Sequence, residues 1–532
     1  MDLIENKQYS FKRKKIFFIL SIFFSLNIFS QEKNIEIISA GSFDKNELIY
    51  PDGNILKESN DKKVHLTHDN MDIFSKKSIF FQKRNSFIAT GMVNVKQGDS
   101  INLFCDSLNY DGITKKFSSY GSVKFINDDM ELNSNVLFFN RNNNEVYFND
   151  NGEIIDSLST IESKKGKYFI NQKKYEFEEN VVITNPDYQI RSNMMDYFLE
   201  SEKAFFYKYS TIVTNEYNIF CNDGFYDTKN KIGIFKKEAK ISSDKRIIFG
   251  DSIFFDENKQ FASASNNIKI IDKKENLIIN GDYAEVFEKL DSALITKNPM
   301  AINITKNDSL FIKADTLYSI GKEDNRKVIG YFNVRFFNGS MSGKSDKIEI
   351  DKSLGITTLS RKKLSNRQIQ ILSENEINKL NPVIWDGNSQ ISGDEIILKE
   401  DLNKNIIDSL KISNNSFIVE IDTIGNGKNY NQMKGIKLYG KIIDNSIDRI
   451  KIDKNAELIY YMYDDNNELI GIDKAISSSI LISFKEDEIN DIIFLNQPEG
   501  TLYPEDKLEE NEKILFGFID RFKERILTKD KL

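Results

Sequence analysis

Among its 532 residues the chain has only 2 cysteines, 2 histidines, 1 tryptophan and 6 prolines. Two cysteines cannot build a disulfide framework. The only histidines, His65 and His68, leave little for acid–base or metal chemistry near neutral pH. They are three apart, which on a strand puts them on opposite faces. Few prolines suit strands whose N–H groups all pair in ladders. No Ser/Gly/Pro linker divides the chain, and no compact D-x-D-x-D-G loop offers a calcium site. There is no Gly-rich phosphate loop, no G-x-S-x-G, no H-E-x-x-H and no C-x-x-C. No catalytic, cofactor-binding or metal site is expected, and the chain reads as a non-enzyme. Beyond residue 30 no apolar run approaches the 18 or so residues of a membrane span.

The N-terminus has a pattern of its own. Lys12, Arg13, Lys14 and Lys15 precede a nearly unbroken apolar run over residues 16–29, and Ser30 stands before Gln31. A basic cluster, a short apolar core and a small residue read as a secretory signal over residues 1–30. The mature protein is then expected to be soluble or peripheral, beyond the inner membrane. The leader carries two acidic and five basic residues, so its loss takes the formal charge from −8 to −11. Such a chain is not expected to bind nucleic acid.

What is abundant is aromatic and turn-forming. There are 40 phenylalanines and 22 tyrosines, set among many Ile, Asn, Asp and Lys. Aromatic and β-branched residues fit a pleated surface, and Asn, Asp and Gly make turns. These residues recur in order. Asp106-Ser107-Leu108-Asn109-Tyr110-Asp111 is echoed by Asp251-Ser252-Ile253-Phe254-Phe255-Asp256. Related hexads start at Asn135, Asp223, Asp282, Asp315, Asp346 and Asp394. Neighbouring anchors such as 106 and 135, 223 and 251, or 315 and 346 lie 28 to 33 residues apart. One hairpin-sized unit cannot bury its own apolar face, but stacked copies share one long core. The pattern predicts an all-β, elongated, stacked repeat or solenoid.

The interval breaks between Asp346 and Asp394. The expected organisation is therefore an N-terminal array over 31–360, an irregular loop over 361–388, a continuing array over 389–503 and a tail over 504–532. In the tail Leu515, Phe518, Ile519, Phe522, Ile526 and Leu527 recur at helical spacing, which predicts a short C-terminal helix covering the last strand. Taking each of about twelve units as one 4.8 Å step predicts a rod near 60 Å long. On the same count Cys105 and Cys221 lie about 20 Å apart, so two separate buried thiols are expected. The Asp-Ser pairs recur with the repeat and have no histidine beside them, so they read as punctuation.

Phe-rich strands such as Val136-Leu137-Phe138-Phe139 carry more apolar surface than one core-facing side needs. Leu103, Leu108, Tyr110, Phe117, Phe139 and Phe254 are the candidate interior residues. They either fill a core or line a long apolar groove suited to acyl chains. The sequence leaves both open.

The anchors at 106–111, followed by Gly121-Ser122-Val123, and at 250–256 resemble the repeats of the OstA-like (organic solvent tolerance) family. So do the later segments 431–435, 460–463 and 496–504. The long, Asn- and Lys-rich form is similar to the version found in Bacteroidetes. The family is related to the periplasmic bridge of lipopolysaccharide transport and to the N-terminal domain of its outer-membrane translocon. The resemblance implies a β-jellyroll open or V-shaped in section, whose apolar interior carries lipid A acyl chains. It implies transport without catalysis, in the periplasm and peripheral to the outer membrane. The partners it implies are lipopolysaccharide, and bridge and translocon proteins stacking edge to edge. A structural or assembly scaffold of the outer membrane that binds protein and no lipid is the alternative; it predicts a closed, filled interior.

Overall fold

The computed structural model describes residues 33–532 except 157, 275, 305–308, 323–324, 340, 403–405, 426, 444–445 and 486–487. The leader at 1–30 lies outside these residues, and so does its reading as a signal. Among the described residues 40 strands join in one sheet, each paired antiparallel to its neighbours. They form 28 successive rungs. Some rungs are continuous strands, such as Ile101–Asp111 and Lys116–Asn127. Others are split at mid-length, as in Met71–Ser75 with Lys77–Phe81. The two pieces of a split rung pair with the two halves of one continuous neighbour, Ser86–Gln97.

Every rung bends near its middle, and the sequence sets the bend. In alternate rungs the ladder register shifts there, and two successive residues take left-handed φ. Examples are Gly91 and Met92, Glu179 and Asn180, Asn266 and Asn267, and Asn414 and Asn415. Gly and Asn tolerate that conformation, and the extra residue turns the strand sharply. In many repeats the rung before the bulge carries the repeated Asp at its own bend, whereas Lys76 and Lys164 stand there opposite Gly91 and Glu179. Asn267 Nδ2 donates to Asp251 Oδ2 at 2.8 Å, Asn333 to Asp315 at 2.8 Å and Asn415 to Asp394 at 2.9 Å. The hexad's first Asp therefore marks the bend. Its last Asp closes the outer turn: Asp111 Oδ1 accepts from Ile113 N and Thr114 N, and Asp256 Oδ1 from Lys259 N. The hexad is one half-rung, and about 29 residues make two rungs.

The bends align, so the sheet folds lengthwise into two facing walls. One buried apolar cluster runs between them from Ile35 to Ile482. Because each repeat contributes two rungs, the stack is longer than the sequence reading proposed. At about 4.8 Å per rung it measures about 130 Å along the hydrogen-bond direction, not 60 Å. Cys105 and Cys221 are buried free thiols eight rungs, or about 38 Å, apart. Burial pushes both thiols up to about 12.

The irregular segment has a definite place. Ile356–Ser360 and Val383–Asp386 are the two halves of one split rung. Residues 361–382 replace the bulge between them and hold two short helices, Asn366–Ile371 and Glu374–Lys379, each with a capping box.

The C-terminal helix is not there. Residues 504–532 form an extended strap with isolated 3-10 turns at Glu505–Lys507, Phe522–Glu524 and Lys529–Lys531. It lies on the outer face of one wall. There Leu508 and Leu515 are buried against Phe417, Val419, Ile459, Tyr461 and Ile472. The sheet offers the strap partners that a helix would forgo. Gln432 donates to Lys513 O and accepts from Leu515 N, at 2.8 and 2.9 Å. Gln390 does the same for Ile519 O and Arg521 N, both at 2.8 Å. Each side-chain amide pairs with extended backbone as a neighbouring strand would. Gly517, at φ 92°, breaks the helical path between the two clamps.

Candidate functional site

The two walls differ in chemistry. On one inner face Ile154, Ile161, Ile183, Ile190, Ile212, Ile219, Ile241, Ile248, Ile270 and Ile279 stand directly cross-strand over ten consecutive rungs. The row continues through Leu132, Phe125, Leu103 and Val95 on one side and Ala301, Ile312 and Phe336 on the other. β-branched residues pack well in such cross-strand files.

The facing wall is aromatic. Phe87, Tyr110, Phe117, Phe139, Val146, Tyr168, Tyr175 and Tyr197 form its row in register. Phe117 and Phe139 meet edge to face with centroids 5.0 Å apart, and Tyr168 and Tyr175 lie at 4.6 Å. Further along the row the residues shrink to Ala204, Gly233, Ala262 and Ala293, with Tyr226 and Phe255 between them. Gly166, one file nearer the bend, gives a neighbouring ring its space: a Cβ there would lie 2.4 Å from Phe148 Cζ.

Five of the six candidate residues reach this interior. Leu103 and Leu108 are 0% exposed, Phe139 2%, and Tyr110 and Phe117 3%. Phe254 does not. It lies on the outer face of the aromatic wall, opposite Ile234 and near Phe261, while Ile253 and Phe255 turn inward. The hexad explains the error. Its second and fourth residues after Asp face in, as Leu108 and Tyr110 do; Phe254 is the third. The isoleucine file was missed altogether, although it has a signal: from 154 to 270 the spacings alternate 7 and 22, which sum to the two-rung repeat.

Opposite the bends the rung ends of the two walls meet in a polar seam. Lys115 pairs with Asp69 at 2.5 Å. Arg141 donates to Gln97 Oε1, to Tyr110 OH and to Asp69 O at 2.8 to 2.9 Å. Tyr168 OH donates to Asn127 Oδ1 at 3.3 Å, and Tyr217 OH to Glu288 Oε2 at 3.0 Å. Lys245 pairs with Asp291 at 3.1 Å, and buried Arg326 pairs with Asp272. Partners such as 115 and 69, 141 and 97, and 245 and 291 lie 44 to 46 residues apart, so the walls meet there with a stagger of about three rungs. A hydrogen bond from Lys115 holds the Asp69 carboxyl below its ordinary range. Burial would raise the Asp272 carboxyl, but Arg326, with the Lys274 N–H and Arg246, outweighs it and the shift is downward.

The histidines serve structure. His65 Nε2 contacts Asp72 at 2.8 Å; His68 is buried against Tyr110 OH and Lys33 O. Among the described residues no group of three or more His, Cys, Asp or Glu could hold a metal ion. No described helix is long and apolar enough to cross a membrane. A cavity of about 780 Å³ opens at the outer side of the bends. Lys124, Glu131, Glu153 and Glu162 are among the residues that line it.

Residues 32–193 match the model of the family described as OstA-like protein. That segment is OstA-like. It contains the hexad at 106–111, the first four isoleucines of the file and the large-aromatic row of the facing wall from Phe87 to Tyr175. No curated protein matches the chain. Among solved structures, LptH of Pseudomonas aeruginosa is described as the LptA homologous periplasmic component of the conserved lipopolysaccharide transport device. It is 10% identical over 28% of this chain and 85% of LptH, with a TM-score of 0.16, too slight a likeness to carry an argument here.

Proposed function

We propose that the chain is a non-enzymatic periplasmic component of lipopolysaccharide transport to the outer membrane, and that its interior takes lipid A acyl chains. The observation that carries this reading is the unbroken isoleucine file facing an aromatic row. Acyl chains need a continuous apolar surface on which every step resembles the last, and a ladder of identical residues supplies one. The OstA-like match of residues 32–193 supports the same class of activity. The negative charge expected of the mature chain gives no attraction for phosphorylated lipid, so binding rests on apolar contact. Among the described residues the end rungs are paired on one side only, which suits edge-to-edge stacking with bridge or translocon proteins.

A second reading has its own support. The interior is filled with side chains, and most of the isoleucine file is under 4% exposed. A scaffold that binds protein and no lipid needs no more. Photocrosslinking separates the two. A photoreactive residue at Phe139 or Phe255, facing in, is expected to give lipopolysaccharide adducts, and one at Phe254, facing out, is not. Absence of adducts from every interior position would overturn transport in favour of the scaffold.

A further inference from the structure

We propose that acyl chains are admitted sideways, by parting the seam, and are not threaded from an end of the stack. This inference rests on the transport reading and names the route that reading needs. The interior is packed shut, so something must move. Within each wall every rung is tied to the next by a backbone ladder, and the bends are continuous chain. Parting a wall breaks ladder hydrogen bonds. Parting the seam breaks side-chain contacts at rung ends, and these are individually weak where water reaches them. Lys115 is 38% exposed and Lys245 51%.

The N-terminal end is also stoppered. Lys33 O accepts from His68 on one wall and from Asn85 on the other, and Ile35 N donates to Asn85 Oδ1 at 2.8 Å. A chain threading from that end meets this crossing first, then every packed rung in turn. Sideways admission displaces only the rungs that the ligand occupies. The bends opposite the seam form a hinge line: a two-residue left-handed bulge in alternate rungs, steadied by an Asp–Asn contact that need not break as the walls part.

The test locks the seam in the full chain. Cysteines replace the partners of two latches, Lys115→Cys with Asp69→Cys and, separately, Lys245→Cys with Asp291→Cys. A short bifunctional thiosulfonate bridges each pair, and a monofunctional thiosulfonate treats the unbridged arm. Uptake of fluorescent lipid A is then followed. Bridging is expected to lower uptake at least tenfold, and cleavage of the bridge by dithiothreitol to restore it. Equal uptake with and without the bridge overturns sideways admission and leaves the transport reading standing. No uptake in either arm, with wild-type chain also failing, overturns the transport reading itself.

Discussion

The Tyr175 hydroxyl is fully buried in the aromatic wall and has no hydrogen-bond partner among the described residues. Its neighbour Tyr168 donates to Asn127 at 3.3 Å. The same substitution should therefore have opposite effects at adjacent positions. Tyr175→Phe removes a desolvated, unpaired hydroxyl and should raise stability by about 1 kcal/mol; Tyr168→Phe leaves Asn127 short of a donor and should lower it by about 1 kcal/mol. Urea unfolding of both variants measures the difference, and a destabilised Tyr175→Phe contradicts it. Much at this scale was legible. Strict alternation along the hexad puts Leu108 and Tyr110 inward, and it puts Phe255 there in place of Phe254. The isoleucine file was harder to see because its members are far apart in sequence. They become neighbours only once two rungs are counted per repeat.

At the scale of elements, the strap shows where periodicity misleads. Apolar residues at helical spacing need a buried face, but they do not need a helix to reach it. The strap's backbone is satisfied by two glutamine amides on the wall, which no spacing of its own residues could announce. Gln390→Ala with Gln432→Ala should free it. Trypsin should then cleave within 505–532 at least tenfold faster while the rest of the stack stays resistant; unchanged protection would show that apolar contact alone holds the strap. Acid should loosen it too. Burial opposes charge on Glu524, but hydrogen bonds from Arg521 and Lys344 hold its carboxyl near about 2. The folded pKa is thus below the ordinary value of about 4.3. The contribution of this group is full above that value and is lost as pH falls toward about 2. Hydrogen exchange in the strap should rise across that window, and Glu524→Gln should remove the dependence.

At the scale of the molecule, length follows from how the repeat is counted. A stretch of 28 to 33 residues looks like one unit in sequence, because its Asp anchors recur only once in that interval. Physically it holds two rungs, one with an Asp at its bend and the next with a two-residue bulge at its own. That doubles the stack from about 60 Å to about 130 Å along the hydrogen-bond direction. Twist between strands shortens the end-to-end distance somewhat but does not halve it. Small-angle scattering from monomeric protein should therefore give a maximum dimension of about 100 to 140 Å. A value near 60 Å would mean that the stack doubles back on itself. The distinction bears on transport directly. On the transport reading, an acyl chain admitted through the seam can move along the isoleucine file only if successive rungs stay in line, and a folded-back stack would interrupt that path even with every cross-strand pair intact.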